Sequence, residues 1–138
     1  MKTIWQECPN GDVAGQWSAL YVTMNKKGYI TMSRITHERT GAPPAYLIWF
    51  DEVNNRIGLK PTQPSIKNAF RTCPSGRHGG KLLRAFRAMQ KIGLTLNETI
   101  QFHDAEVNEE GILILDLRSA KVSNRAIAKR RSVVKKGN

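Results

Sequence analysis

Three pairs of short β-prone runs, each joined by a turn-forming segment, restrict the folds that this chain can adopt. The turns are residues 25–28 (Asn-Lys-Lys-Gly), 51–55 (Asp-Glu-Val-Asn-Asn) and 108–111 (Asn-Glu-Glu-Gly), and in the first and third glycine can supply the positive φ of a tight reversal. The runs that they join are residues 19–24 with 29–32, 45–50 with 56–60, and 99–107 with 112–117. Pro61 is expected to end the second hairpin. The sequence therefore predicts a β-rich domain of three short hairpins.

Two helices are predicted between and after these hairpins. Ser33 can cap a short helix over residues 34–40, which Gly41 would end. A second helix is predicted over residues 81–92, with an apolar stripe on one face and Gly93 as its stop. That stripe is Leu82, Leu83, Phe86 and Met89.

The domain organisation follows from these elements. The chain has 138 residues, enough for one domain with a hydrophobic core. We expect an irregular arm in residues 1–18, a single α+β domain in 19–118 and a basic tail in 119–138. Inside the domain, two hairpins take up residues 19–61, a loop 62–80, and the amphipathic helix with the third hairpin 81–118. The predicted fold class is α+β, a β-rich barrel or meander of short hairpins.

Charge is segregated along the chain. Lys and Arg number 22 against 11 Asp and Glu, a net charge of +11. Residues 53–97 contain nine bases and no acid, residues 98–116 six acids and no base, and residues 117–138 eight bases and no acid. Such a basic surface attracts polyanions, because each neutralised phosphate releases condensed counterions. Nucleic acid is therefore the expected partner, although a surface that serves only solubility, or one that meets ribosomal or anionic-lipid partners, would carry the same charge.

Several basic groups outside the first hairpin are candidates for phosphate contacts. The glycine-rich segment of residues 75–81 precedes the predicted second helix, and its spacing is not that of a Walker A loop. It is either a flexible glycine loop or a phosphate-contacting segment that uses Arg77, His78 and Lys81. On that helix Arg84, Arg87 and Lys91 would form one ridge. The tail adds Arg125, Lys129, Arg130 and Arg131.

Residues 20–61 resemble the AbrB/MazE/SpoVT swapped-hairpin DNA-binding domains. The likeness lies in the order of strand, Gly-containing turn, strand, short helix and closing hairpin, and in the apolar spacing Val22, Met24, Gly28, Ile30, Met32. Ser33 stands where that family usually has proline. The resemblance implies a homodimer whose chains interleave their hairpins into one barrel. It also implies that Lys26, Lys27, Arg34 and Arg39 contact DNA.

Catalytic and metal-binding patterns are missing from the sequence. His37-Glu38 lacks the second histidine of a zinc-protease helix, and Cys8 and Cys73 have no partners at metal-ligand spacing. Acids at alternate positions of a strand point to opposite faces, so those of residues 98–116 are expected to form a solvated edge, which could also dock a second copy. We therefore expect no enzyme activity, no cofactor and no metal.

The predicted function is that of a small transcriptional regulator that binds duplex DNA. The alternatives are an RNA-binding or ribonucleoprotein subunit, an antitoxin-like protein, and a phage or mobile-element accessory protein. No apolar run approaches the roughly 20 residues that span a bilayer, and the N-terminus lacks the pattern of a secretory signal. A cytoplasmic location without a membrane partner is therefore expected.

One internal likeness has two explanations. Residues 24–32 match residues 107–115 in pattern, 83 positions later, with Lys26-Lys27 replaced by Glu109-Glu110. Two similar hairpins within one barrel would explain the match. Chance would explain it equally well, because Asn-x-x-Gly is a common way to reverse a strand.

Overall fold

The computed structural model describes residues 20–122, which form ten strands and two short α-helices. The helices are α1 (Arg34–Arg39) and α2 (Phe86–Ile92). The strands are β1 (Val22–Met24), β2 (Tyr29–Met32), β3 (Ala45–Asp51), β4 (Arg56–Thr62), β5 (Phe70–Ser75), β6 (Gly80–Arg84), β7 (Ile100–Phe102), β8 (Glu106–Val107), β9 (Leu113–Asp116) and β10 (Ala120–Val122). The predicted arm, residues 1–18, and residues 123–138 of the predicted tail lie outside this range.

All ten strands belong to one antiparallel sheet that curls into a half-barrel. Its strand order is β10-β7-β1-β2-β6-β5-β3-β4-β9-β8. The β-rich α+β class predicted from the sequence is confirmed. No helix among the described residues is both long and apolar enough to cross a bilayer.

The first hairpin and the helix after it have the predicted structure. β1 pairs with β2 from Val22 opposite Met32 to Met24 opposite Ile30. The Ser33 hydroxyl caps α1 by accepting from the Thr36 N–H at 3.2 Å. α1 is a short helix of six residues, so the chain reverses quickly into the second hairpin.

The second hairpin is also confirmed, and it is longer than predicted. β3 and β4 pair in register from Asp51 opposite Arg56 to Ala45 opposite Thr62. Pro61 was expected to end β4, but it lies within the strand, opposite Tyr46. This is tolerated because β9, on the other side of β4, pairs only as far as Leu59 and needs no N–H from Pro61.

Two predictions for the middle of the chain are wrong. The segment 62–80, predicted as loop, contains β5, and residues 81–84, predicted as the first turn of a helix, lie in β6. β6 pairs with β2 on one side and β5 on the other, so its backbone groups are bonded in ladders instead of a helix. The helix begins only at Phe86. Arg84 is therefore a strand residue and does not share a helical ridge with Arg87 and Lys91.

The third hairpin is shorter than predicted. Residues 99–107 were expected to form one strand, but they divide into β7 and β8, which lie at opposite parts of the sheet. Of these two strands, only β8 pairs with β9, through Glu106 opposite Ile114 and Val107 opposite Leu113. Residues 120–122, assigned to the tail from the sequence, form β10 and pair with β7.

The core is built from one face of the curled sheet. Alternate residues of neighbouring strands point to it in register, so Met24, Ile30 and Leu83 lie side by side and are fully buried. Further buried side chains come from β3, β4, β7 and β9, including Tyr46, Ile57, Leu59, Phe102, Leu113 and Leu115. The core therefore holds both parts of the sheet together and leaves its basic side chains at the surface.

Candidate nucleic-acid interface

One group of basic side chains lies where the first turn meets the start of α2. Lys26 and Lys27 are exposed in that turn, and Arg84 pairs across β2 and β6 with Tyr29, just after the turn. We call Lys26, Lys27, Arg84 and Arg87 the turn cluster; all four are exposed. Two of the predicted sites, the first turn and the basic segment around α2, are therefore brought together.

Gly28 makes this close approach possible. Its φ is +82°, and a Cβ built there would lie 3.1 Å from the Phe86 Cα and 3.4 Å from the Met89 Cγ. A side chain at this position would press on the backbone of α2, which would have to shift by a few tenths of an ångström. The exposed Phe86 ring and Arg87 are thus held beside the lysines of the turn.

A second basic group lies at the other end of the β2–β6 pair, around an open cleft of about 400 Å³. We call it the arginine cleft. Its lining includes Tyr21, Ser33, Arg34, Ser75, Arg77 and His78, and none of its lining residues is acidic. It forms where the start of α1 meets the turn between β5 and β6. Arg34 and Arg77, predicted from separate motifs, therefore share one site.

The arginine cleft depends on contact between Arg34 and the glycine turn. A Cβ built on Gly79 would lie 2.9 Å from the Arg34 Cδ and 3.2 Å from its Cγ. The Arg34 stem therefore packs on the bare backbone of Gly79, with the guanidinium beyond it. Arg34 also forms an ion pair with Glu38, with Nε and Oε1 3.6 Å apart and both side chains more than half exposed. Such a surface pair is weak and screened.

The carboxylates of the third hairpin do not neutralise these groups. Within residues 20–122 the ion pairs are Arg34–Glu38, Arg56–Asp51 and Arg118–Asp116, so the turn cluster and Arg77 have none. Moreover, the six consecutive strands β10-β7-β1-β2-β6-β5 and α2 contain no Asp or Glu. Among the described strands, acids occur only in β3, β8 and β9, at the other part of the sheet, while Glu98 and Asp104 flank β7 and Glu38 lies in α1.

Arg56 belongs to that acidic part, although it lies in the acid-free stretch of the sequence. It pairs across the sheet with Asp51 on β3 and with Asp116 on β9, and its Nη2 lies 2.9 Å from Asp51 Oδ2. Hydrogen bonds from the Asn54 side chain and from Arg56 lower the pKa of Asp51 to about 2. The Arg118 N–H lowers the pKa of Asp116. Arg56 is thus held by carboxylates.

The remaining predicted residues are more scattered. Arg39 is exposed at the end of α1 but does not line the cleft. Lys81 is half-buried opposite Met32, and Lys91 is exposed on the last turn of α2, one turn beyond Arg87. Arg125, Lys129, Arg130 and Arg131 lie outside the described residues, as does Cys8. Tyr21 was not predicted from the sequence as a site residue. The alternation of buried Val22 and Met24 is the signal that could have placed its ring on the outer face of the sheet.

The described part of the chain contains no group of three or more His, Cys, Asp or Glu that could hold a metal ion. Comparison with protein-family models, with curated proteins and with solved structures finds no match to this chain. The interpretation of the site therefore depends on its geometry and charge.

Proposed function

We propose that this protein is a small DNA-binding regulator that holds the duplex backbone with the outer surface of the β2–β6 pair and does no catalysis. The observation that carries the proposal is the segregation of charge in the sheet. Six consecutive strands contain no carboxylate, and exposed basic groups stand at both ends of the β2–β6 pair. Such a predominantly basic surface attracts a polyanion and orients it, although Glu38 pairs with Arg34 at the α1 end.

The separation of the two basic groups suits a duplex. From Lys27 to Ser33 the chain runs through β2, and six residues of extended strand span about 20 Å. The major groove of B-DNA is about 12 Å wide. The turn cluster and the arginine cleft can therefore reach phosphates on both sides of one groove.

The resemblance to the swapped-hairpin regulators supports the same proposal, because residues 20–61 contain a strand, turn, strand, short helix and hairpin in that order. A homodimer of this chain would have to use a different surface from the first hairpin that the swapped-hairpin family exchanges. β1 already pairs with β7 and β2 with β6, so neither edge of the first hairpin is open to a second chain. A homodimer remains part of the proposal, and light scattering of the full chain tests it.

A second candidate function is the binding of single-stranded RNA or DNA. It is favoured by two aromatic rings at the basic surface, Tyr21 and Phe86, which are 49% and 53% exposed. Bases of an unpaired strand stack on such rings. Duplex DNA is preferred because the two rings lie at opposite ends of the β2–β6 pair and do not form one platform.

Fluorescence anisotropy with labelled duplex DNA, single-stranded DNA and structured RNA of equal length tests the proposal. We expect the duplex to bind most tightly. Its affinity should fall about 10³-fold between 50 and 200 mM salt if six phosphates are engaged. Tighter binding of RNA under matched conditions, or an affinity that does not change with salt, would remove the regulator function.

A further inference from the structure

The arginine cleft is concave, whereas contact with a duplex backbone requires only an exposed surface. Its volume of about 400 Å³ falls in the range of small-molecule sites, roughly 300 to 1,000 Å³. From its lining we infer that it binds a nucleoside 5′-monophosphate, with the phosphate at Arg34 and Arg77 and the base against Tyr21. This rests on the proposed function in one respect, because the 5′ end of a nucleic-acid strand is one source of the ligand. Free nucleotide is the other.

The charge of the lining favours a phosphate monoester. Arg34, Arg77 and His78 line the cleft and no lining residue is acidic, although Glu38, outside the lining, forms an exposed ion pair with the Arg34 Nε. A guanidinium presents a planar fork of N–H donors that can bind two phosphate oxygens at once. A monoester carries a charge of about −1.5 to −2 at neutral pH, against −1 for a backbone diester. Two arginines at one site are therefore better matched to a terminal phosphate.

Tyr21 supplies a surface for the base. Its backbone carbonyl accepts from the Ser33 N–H at 3.1 Å and from the Thr36 hydroxyl at 3.2 Å, which ties it to the start of α1. The side chain nevertheless stays 49% exposed and lines the cleft. A fixed backbone beneath an open ring is the arrangement that base stacking uses, and it sets the ring beside the two arginines.

The turn between β5 and β6 leaves room for the phosphate. Gly79 has a φ of +82° and carries the Arg34 stem, so any side chain there would displace the guanidinium. Gly76, also at positive φ, has no atom within 4 Å of a Cβ built on it. Arg77 lies between these glycines. The turn contacts Arg34 of α1 through Gly79, and the space beside Gly76 stays open for a phosphate.

The test is calorimetric titration of the full chain with AMP, adenosine and inorganic phosphate. AMP should bind at least 10-fold more tightly than either of the others, because both halves of the site are used. Arg77→Gln and Tyr21→Ala should each weaken AMP about 10-fold or more. Lys67→Gln removes the same charge from an exposed residue that does not line the cleft, and it should leave AMP affinity unchanged.

Gly79→Ala is a second test variant, and it changes the shape of the cleft without removing a charged group. It should weaken AMP by displacing Arg34, and circular dichroism would verify that the variant is folded. Equal affinity for AMP and adenosine, no AMP binding, or equal losses in Arg77→Gln and Lys67→Gln would overturn the inference.

The two sources of the ligand are separated by single strands of one sequence, with and without a 5′-phosphate. A preference for the phosphorylated strand that excess AMP abolishes would assign the cleft to strand ends, whereas AMP binding without this preference would assign it to free nucleotide. Duplex binding without AMP binding defeats this inference alone. AMP binding without duplex binding defeats only the proposed function.

Discussion

The side-chain oxygens of Asn25 and Asn108 occupy equivalent places in two turns. Each Oδ1 accepts from the backbone N–H groups two and four residues later, Lys27 and Tyr29 in one turn and Glu110 and Ile112 in the other, all at 3.0 Å. The glycine three residues after each asparagine has a positive φ, 82° at Gly28 and 79° at Gly111. The match between the two sequence segments is thus also a match of turn structure. The chain presents two lysines on one such turn and two glutamates on the other.

These matched turns allow the position of charge to be separated from its amount. Replacing Lys26 and Lys27 by glutamine should weaken duplex DNA binding, because two phosphate contacts are lost. The slope of log affinity against log salt should become shallower by about 2. Anisotropy titrations at four or five salt concentrations measure both quantities.

The control is the replacement of Glu109 and Glu110 by glutamine in the equivalent turn. It changes the net charge by the same amount in the opposite direction, in the acidic part of the sheet, and it should leave the salt slope unchanged. If the two double variants shifted the slope by equal amounts in opposite directions, the slope would follow net charge alone and the proposed position of the DNA would be wrong.

Gly28→Ala and Gly111→Ala should destabilise the protein to different degrees. Both place a side chain at positive φ, which costs about 1 kcal/mol. At Gly28 the new Cβ would also lie 3.1 Å from the backbone of Phe86, whereas at Gly111 nothing lies within 4 Å. We expect Gly28→Ala to lose roughly 1 kcal/mol or more beyond Gly111→Ala, since overpacking adds its own cost. Urea unfolding measures both free energies.

Equal losses in these two variants would show that α2 does not pack against the first turn. In that case Arg87 would not be held beside Lys26 and Lys27, and the turn cluster would lose its geometric basis. A Gly28→Ala variant should also bind duplex DNA more weakly under conditions where it is fully folded.

The sequence predicts the local elements well because their signals are local. Asn25 and Gly28 specify the first turn, and Ser33 specifies the start of α1. β6 was assigned to a helix because Leu82, Leu83, Phe86 and Met89 follow a helical spacing. Only Leu83 of the first two points to the core, and the ladders that make β6 a strand come from β2 and β5, remote in the sequence. Tertiary pairing here overrides a local pattern.

The candidate site was predictable in charge but not in shape. The block of bases in residues 53–97 indicated a basic surface, yet Arg56 within it is held by carboxylates. The arginine cleft joins Arg34 to Arg77, 43 positions apart, through a contact with Gly79. No periodicity within either segment indicates that the two meet, because their contact depends on the strand order β2-β6-β5.

Tyr46 should make stability fall at high pH. It is fully buried with its hydroxyl 2.6 Å from the Thr40 Oγ1, and burial raises its pKa from 10.0 to about 12. Because the folded state holds the neutral phenol, this contribution is intact below pH 10 and is lost as pH rises from 10 to 12, by about 3 kcal/mol. Urea unfolding at pH 8, 10 and 11 should show a shallower decline in Tyr46→Phe than in the unmodified chain.

The Tyr46→Phe variant is also expected to be less stable at pH 8, by about 1 kcal/mol, because Thr40 loses its hydroxyl partner. Tyr21→Phe is the control, since it removes a hydroxyl from an exposed ring. Other groups that change charge in this pH range do so in the unmodified chain and in Tyr46→Phe alike, so the difference between these two curves isolates the buried phenol. Parallel curves for the unmodified chain and Tyr46→Phe would mean that water reaches the Tyr46 hydroxyl in the folded state. The core around Met32 would then not be closed to solvent.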